Sequence, residues 1–472
     1  MSTHAATAAA FKVEAKAALA KPQLKVALDR ATNLLQGRRF EVMTEYPEFQ
    51  TARDQGAAIK DHTLKYLDHY LEQFETAARA SGAEVHWAST PDEATRICVE
   101  ICQRRGAKSA TRVKSMLGEE IGLPKALADA GIERVETDLA EHIIQLAAER
   151  PSHIVIPALH KTQEEVADLF TDNHAEPRAS DHVEDLVASA RRELRSKYLG
   201  ADVGISGANF LVAETGAIVT VTNEGNAELT TALPPCHIVT VGIEKLVPNQ
   251  EQASLFLRLL ARSALGSEFT QYVTFYNGPK RAGDHDGPGE MHIVLVDNRR
   301  TKMLAGNMQK MLRCIRCGAC MNHCPVYGAV GGHPYGGTYP GPMGSVLTPA
   351  LTSLEEAGDL PNACTLNGRC QEVCPVKIPL TDMMRSMREQ QWRERMIKPR
   401  ARLAIKAWAF AVKRPWLYRI GTKFAVKAMR LFRGKGGRIR SLPLASGWTR
   451  SRDITVPESS TFMAQWKAGR RR

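Results

Sequence analysis

The sequence predicts an α/β fold, then a cysteine-rich helical region, then a basic helical tail. Three observations carry this reading. Short apolar runs alternate with helical periodicity between about residues 81 and 298, seven of the ten cysteines fall between Cys314 and Cys374, and charge is heavily biased toward the C-terminal end. The 472 residues hold 63 Lys+Arg against 51 Asp+Glu, a formal net charge of +12. From Val376 onward there are 25 basic and 5 acidic residues, leaving 38 and 46 in the first 375. The net charge therefore averages an acidic-to-neutral body and a strongly basic tail. This length exceeds one ordinary core, so two or three domains are expected. With 43% hydrophobic and 24% charged residues the composition excludes a disordered or membrane-embedded chain.

Residues 1–80 read as helical. The stretch Met1–Ala20 is Ala-rich and Lys-bearing, poor in acids as transit peptides are, but it lacks the apolar core of a secretion signal and reads as a first helix. In Ala58–Ala80 the positions Ile59, Leu64, Leu67, Leu71 and Phe74 approximate helical spacing. Ala83–Ala88 reads as a strand. Thr90-Pro91-Asp92-Glu93 then starts a helix running to about Arg105, with a capping residue, proline at the first helical position and an acid three residues on. Arg112–Met116, Glu133–Thr137 and His153–Ile156 read as strands, and Gln163–Phe170 and Asp181–Tyr198 as helices. The alternation argues for a mostly parallel sheet covered by helices. In Asn209–Thr222 two apolar runs flank Glu214-Thr215-Gly216, a hairpin signature. His237–Gly242 and His292–Val296 are buried-strand candidates with the helix Gln252–Leu265 between them, and Asn277–Gly289 is a loop on composition. The α/β domain ends near Asp297. Neither G-x-G-x-x-G nor a Walker A pattern is present, so nothing announces a dinucleotide or a nucleoside triphosphate. The longest apolar candidate for a membrane span, Leu403–Val412, is short and interrupted by Lys406.

The run Cys314-Ile-Arg-Cys317-Gly-Ala-Cys320-Met-Asn-His-Cys324-Pro325 has the spacing C-x2-C-x2-C-x3-C-P of bacterial ferredoxins. Three cysteines two residues apart wrap one cubane, and the fourth, held before proline, turns toward the other cluster. A second run, Cys364-Thr-Leu-Asn367-Gly-Arg-Cys370-Gln-Glu-Val-Cys374-Pro375, keeps the frame with asparagine in the middle position. Crossed ligation gives the first cluster Cys314, Cys317, Cys320 and Cys374, and the second Cys324, Cys364 and Cys370. The second is one thiolate short. It is either a [3Fe-4S] centre or a [4Fe-4S] centre whose fourth iron takes oxygen, water or substrate; the amide oxygen of Asn367 is a candidate, disfavoured by its hardness. Structural zinc, with four ligands in two C-x2-C pairs, fits seven cysteines in these frames poorly. Cys98, Cys102 and Cys236 lie on apolar helix and strand patterns and read as small core residues. The spacer GAVGGHPYGGTYPGPMGSVLTPAL excludes a continuous helix and is expected to fold over a cluster or onto a docking face, with His333, Tyr335 and Tyr339 more suited to packing than to chemistry.

RCIRCGACMNHCPVYGAVGGHPYGGTYPGPMGSVLTP, CTLNGRCQEVCPVKIPL and, upstream, SGANFLVAETGAIVTVTNEGNAELTTALPPCHIVTVGIEKLVP resemble the lactate utilization protein B family and its LUD domain, and asparagine at 367 resembles a variant of the second motif found in that family. The resemblance covers most of the chain. It implies an α/β LUD fold of the sugar-isomerase and CoA-transferase type (NagB/RpiA-like) followed by an α-helical ferredoxin domain. It also implies two [4Fe-4S] clusters, and an iron–sulfur electron-transfer subunit working with two partners, LutA-like and LutC-like, to oxidise L-lactate to pyruvate. The expected layout is a helical segment at 1–80, the LUD domain at 81–298, the two-cluster ferredoxin-type domain at 299–398, and a basic amphipathic region at 399–472.

A cubane passes one electron at a time, whereas lactate releases two, so the pair must first be taken elsewhere. A self-sufficient transferase- or ligase-like LUD enzyme with structural clusters is the alternative. For a small-acid site the loops Gly204–Asn209, Glu214-Thr215-Gly216 and Asn223–Asn226 are the places to look, although Glu214 and Asn226 also suit plain turn roles. His160, His237, His285 and His292 are each a possible base, without an assignable carboxylate partner. In Trp416–Phe432 the basic stripe Arg419, Lys423, Lys427 and Arg430 adjoins an apolar stripe through Leu417, Ile420, Phe424, Ala428 and Leu431. Residues 401–433 thus suit an acidic partner or an anionic membrane, or packing against the chain's own body. Charge alone is no sign of nucleic-acid readout, and no such partner is expected. The expected location is cytoplasmic, peripheral on the inner face of the membrane if the tail binds lipid.

Overall fold

The computed structural model describes residues 10–176, 180–434, 436–441, 449, 452–458 and 460–469. They fall into two compact units, Met1–Gln390 and Gln391–Arg472. In the first unit, helices Phe11–Leu19, Pro22–Thr44, Phe49–Lys65 and Leu67–Ala80 precede an α/β body. The third and fourth are separated at Tyr66, whose backbone (φ −116°, ψ 37°) leaves the helical region.

The body is built on strands β1 (Glu84–Ala88), β2 (Ser109–Arg112), β3 (Glu133–Glu136), β4 (Val203–Gly207), β5 (Phe210–Val212), β6 (Ala217–Thr222), β7 (Cys236–Gly242), β8 (Leu246–Val247), β9 (Tyr272–Tyr276) and β10 (Glu290–Val296). Six form a sheet in the order β1-β10-β7-β4-β2-β3, parallel throughout. The seven residues of β7 are all buried, which is the continuous apolar burial expected of a strand covered on both faces. From β2 the chain moves outward to β3, then returns to lay β4 on the other side of β2, so the order reverses between β2 and β4. A second sheet, β8-β5-β6-β9, contains the hairpin of β5 and β6, turned at Gly216 with φ 69°. The expected α/β architecture with a helical ferredoxin-like region after it is what the chain adopts.

Two local expectations change, and one strand appears where none was expected. His153–Ile156 is not a strand: the His153 Nδ1 accepts the N–H groups of Val155 and Ile156, both at 3.0 Å, and the Ser152 N–H closes onto the Pro157 carbonyl. A side chain that binds its own backbone in this way competes with the sheet ladder. The strand placed at Arg112–Met116 lies three residues earlier, because the Ser115 hydroxyl accepts the Gly118 N–H and caps the helix Met116–Ile121. Strand β9 carries no alternation in its sequence and pairs antiparallel with β6.

The apolar core runs without interruption from the N-terminal helices through the body into the cysteine-rich part: Leu28, Phe49 and Leu64 share it with Phe210, Phe256 and Leu259, and with Met311, Met343 and Met384. Gly56 marks how closely two of these layers approach, since a Cβ there would sit 2.8 Å from Leu259 Cδ1.

The second unit contains helices Pro399–Val412 and Pro415–Leu431, neither of which buries a residue, together with the short antiparallel pair Arg438–Ile439 and Ile454–Thr455. Trp408, Trp416, Phe424 and Leu431 are exposed. Among the described residues no helix is long and apolar enough to cross a membrane.

His237, in the middle of the sheet, is fully buried and lies 2.8 Å from the Ser206 hydroxyl. Burial, with the nearby His292 adding to it, pulls its pKa from 6.5 to about 3. A histidine depressed in the folded state stabilises fully above pH 6.5, and its contribution is lost as pH falls toward 3. Acidification from pH 7 to pH 5 is therefore expected to cost about 2 kcal/mol through this side chain. His237→Gln should flatten the fall of the thermal midpoint over that range; an unchanged pH profile would contradict the assignment.

Candidate metal centre

The two cysteine runs adopt one backbone twice. Arg316 (φ 61°) and Gly318 (φ 76°) in the first correspond to Leu366 (φ 57°) and Gly368 (φ 83°) in the second, and each glycine opens a four-residue helix, Ala319–Asn322 or Arg369–Glu372. Left-handed residues at these two positions turn successive N–H groups to one side of the chain, the arrangement that favours a negative centre. At Gly318 a side chain is further excluded by His153 and Val155, 3.3 and 3.1 Å from where a Cβ would be. Backbone N–H groups also donate to sulfur: Leu366 to Cys364 at 3.2 Å, Ile378 to Cys374 at 3.4 Å and Tyr327 to Cys324 at 3.5 Å.

The structure gathers the seven thiols into two neighbouring groups. Burial pushes Cys317 up to about 12 and Cys374 up to about 11, with Cys374 next in effect on Cys317, Cys314 also raising it, and Cys314 among the groups acting on Cys374. Cys320 is raised by burial and then by Cys317 and Cys314. In the other group burial, Cys324 and Cys364 push Cys370 up to about 12. None of the seven forms a disulfide. Thiols as buried as Cys317, Cys320, Cys370 and Cys374 stay protonated by themselves, and a bound cation is what converts such sulfurs to thiolates. A second feature fits a sulfur-rich centre. The Tyr335 hydroxyl is buried among sulfurs, with Cys324 first among the groups acting on it and Cys364 and Cys320 also in electrostatic range.

Arginines from the N-terminal helices frame these groups through backbone carbonyls. Arg53 donates from Nε to the Cys374 carbonyl at 3.0 Å and from Nη2 to that of Glu372 at 2.6 Å; Arg39 donates to that of Val373 at 3.0 Å. Burial pulls Arg39 down to about 10, still a cation at neutral pH. Arg313, paired with Asp61, reaches the Lys377 carbonyl at 3.2 Å. The sequence holds no sign of these clamps, because the partners lie more than 300 residues apart for Arg39 and Arg53.

A second, ionic frame joins the sheet to the first cysteine run. The buried Arg300 donates to Glu244 at 2.5 Å and to both oxygens of Glu120 at 2.9 and 3.0 Å. Tyr339 donates to Glu120 at 2.6 Å, and Arg316 lies 3.5 Å from Glu244 and over the Tyr339 ring. Burial would raise the Glu244 carboxyl, but Arg300, Arg316 and Lys245 outweigh it and hold it at about 2.

The Gly-rich spacer folds over the first group, placing Met343 Sδ 3.7 Å from Cys314 Sγ, and both Tyr335 and Tyr339 are packed inside. His333 bonds the Arg150 carbonyl at 2.7 Å. Asn367 is exposed, and its amide oxygen accepts the Arg369 N–H at 3.3 Å. Cys98, Cys102 and Cys236 are fully buried in the sheet layer, away from both groups. Of the histidines, His292 sits between His86 and Arg104, His160 bonds Glu149 at 2.7 Å, and His285 is on an exposed loop. Of the three loops singled out for a small acid, residues from Gly207–Asn209 and Asn223–Asn226 line a cavity, whereas the Glu214 turn packs against the helix Leu67–Ala80.

Arg300→Ala leaves Glu120 and Glu244 buried without their common counter-charge. Breaking a buried pair in this way costs about 3–5 kcal/mol. The expected outcome is a strongly lowered thermal midpoint together with loss of iron, checked by calorimetry and iron analysis; wild-type values for both would contradict it.

A profile described as LUD domain matches residues 71–296, and one described as 4Fe-4S dicluster domain matches residues 310–378. These matches and the cysteine arrangement support iron–sulfur clusters as the cofactors. The chain is 37% identical to the "Uncharacterized electron transport protein YkgF" of Escherichia coli K12, over 97% of this chain and 96% of that protein. It is 41% identical to "Lactate utilization protein B" of Lysinibacillus sphaericus, over 93% and 92%, and 40% identical to the protein of that name from Macrococcus caseolyticus, over 96% and 95%. On identity at this level over nearly the full length of both partners, the chain belongs to the lactate utilization protein B family.

Proposed function

We propose that this chain is the iron–sulfur electron-transfer subunit of a system that oxidises L-lactate to pyruvate. The observation that carries the reading is the pair of adjacent thiol groups, enclosed by one protein core and linked through Cys320, which lies in the electrostatic range of Cys370. The names of the relatives support it: lactate utilization for most, electron transport for the Escherichia coli protein. Cys314, Cys317, Cys320 and Cys374 would hold one [4Fe-4S] cluster. Cys324, Cys364 and Cys370 would hold a second centre with three thiolates, either [3Fe-4S] or [4Fe-4S] with a non-cysteine fourth ligand. When bound, such clusters accept and pass on single electrons.

The protein's own residues set the conditions. Arg39 and Arg53 bring positive charge beside the first group while clamping the carbonyls of its second run. Met343 and Tyr339 cover it, whereas Tyr335 packs by Cys324 of the second group and Thr365, Leu366 and Asn367 leave that group near the surface. Oxidising lactate removes two electrons and two protons. The pair is therefore taken by a centre on a partner, which we assign to the LutA-like and LutC-like subunits of the same system.

We also assign the chain to the cytoplasm, with peripheral membrane contact through residues 401–433. Exposed Trp408, Trp416 and Phe424 beside a row of lysines and arginines suit an anionic headgroup layer.

Two outcomes are expected. Cys317→Ser and Cys370→Ser should each change one of two paramagnetic centres and leave the other, while both abolish lactate-dependent reduction of a dye by the reconstituted system. Retained turnover in both variants would remove the electron-transfer reading. The full chain should sediment with vesicles containing anionic lipid but not with neutral ones, and release should follow added salt. Equal behaviour with both vesicle types would remove the membrane contact.

A further inference from the structure

We propose that the cavity beside the first cysteine run binds a short 2-hydroxy or 2-keto monocarboxylate, with Lys245 and Arg316 as its carboxylate anchors. The choice of acid rests on the function proposed above; the existence of the site does not.

The cavity holds about 440 Å³ and opens at the carboxyl ends of β2, β4 and β7, between residues Val113–Leu117, Gly207–Asn209 and Thr240–Gly242. This is where the strand order reverses, the place at which open parallel sheets leave a crevice for ligands. Its far wall is not part of the sheet at all. Arg316, between Cys314 and Cys317, and Tyr339, from the Gly-rich spacer, complete it. An occupant reaching Arg316 therefore lies next to the first thiol group.

The charges on the walls leave one positive group over. Lys114 is engaged with Asp138 at 3.4 Å and with the Val155 carbonyl at 2.8 Å. Arg300 is saturated by Glu120 and Glu244. Glu244 is thus already bonded when Arg316 approaches it at 3.5 Å, so the Arg316 fork keeps donors to spare. Lys245, half-buried on the cavity wall, has no hydrogen bond or ion pair among the described residues, and Glu244, the carboxylate whose charge acts on it, is already shared by Arg300 and Arg316. Buried cations without a partner are costly, and a bound anion removes the cost. Three carboxylates line the cavity against four cations: Asp138 on Lys114, Glu244 on Arg300, and Glu224, which accepts the Leu139 N–H at 3.1 Å.

A second unpaired group argues for more than a bare anion. Asn226 is 5% exposed, lines the cavity, and its side-chain amide has no hydrogen-bond partner among the described residues. It offers both a donor and an acceptor, which suits a hydroxyl or keto oxygen next to the carboxylate. Leu260, Ala261 and Phe269 supply an apolar surface for a short carbon chain. One spare cation matches one carboxylate, while a phosphate would bring a second negative charge against Glu244. The sequence pointed to the Asn223–Asn226 loop but not to the two cations, since Lys245, Arg316 and Asn226 belong to three separate segments.

The test uses the full-length chain carrying its iron–sulfur complement, under anaerobic conditions, without partner subunits. Calorimetric titration with pyruvate and with L-lactate is expected to show saturable 1:1 binding, and lactamide, which lacks the charge, is expected not to bind. Lys245→Gln and Asn226→Ala should each weaken binding about tenfold or more, with Lys245→Arg restoring it in part. Saturating pyruvate should alter the paramagnetic spectrum of one centre only. Absence of saturable binding, equal binding of lactamide, or affinities unaffected by these variants at wild-type iron content would overturn the site. Should the clusters still cycle with lactate and the partner subunits in that case, the proposed function stands and only the site falls.

Discussion

Seven thiols brought together inside a protein, with no disulfide among them, set the constraint on which the rest of this structure depends. Burial pushes Cys317, Cys320, Cys370 and Cys374 toward the neutral form, and neighbouring thiols add to it. The chain answers with fixed positive charge and fixed backbone. Arg39, Arg53 and Arg313 hold the carbonyls around the second cysteine run, so the backbone that carries Cys370 and Cys374 is tied to helices that begin the chain. The N–H groups left by this arrangement point at sulfur instead. The N-terminal helices therefore serve the cysteine region as much as the sheet, and the unbroken apolar core from Leu28 to Met384 follows from that service.

The second consequence is the ionic bridge from the sheet to the first run. Glu120 comes from the helix after β2, Glu244 from the end of β7, and Arg300 from the turn after β10, and together they set the position of Arg316 and Tyr339. A buried network of this kind is worth little as net stability. Its value lies in registration: it fixes the cysteine loop against the carboxyl ends of the strands, where a parallel sheet offers a ligand crevice. The cavity, its spare cation and the first thiol group are consequently parts of one construction.

Much of this was legible in the sequence, for definite reasons. Cysteine spacing reports directly on local backbone, so the repeated turn at Arg316-Cys317-Gly318 and Leu366-Asn367-Gly368 was implicit in the two motifs. Short apolar runs located β1, β7 and β10, and a capping residue followed by proline located the helix after Thr90. The strand read into His153–Ile156 failed because apolar composition cannot reveal a histidine ring that binds its own backbone. Strand β9 was missed because its partner β6 is 50 residues away. The arginine clamps, and the meeting of Lys245, Arg316 and Asn226, depend on tertiary contacts alone. Asn367 shows the limit within a motif: spacing identified it as the odd member, whereas only the structure showed its exposed amide oxygen accepting the Arg369 N–H.

The central claim is that the two thiol groups hold centres that carry electrons derived from lactate. Rapid mixing of the full chain and its partner subunits with L-lactate, frozen at successive times and followed by paramagnetic resonance, tests it most directly. The account predicts that both centres change redox state within the turnover time of the system. Two centres that keep their initial state while pyruvate accumulates would contradict it.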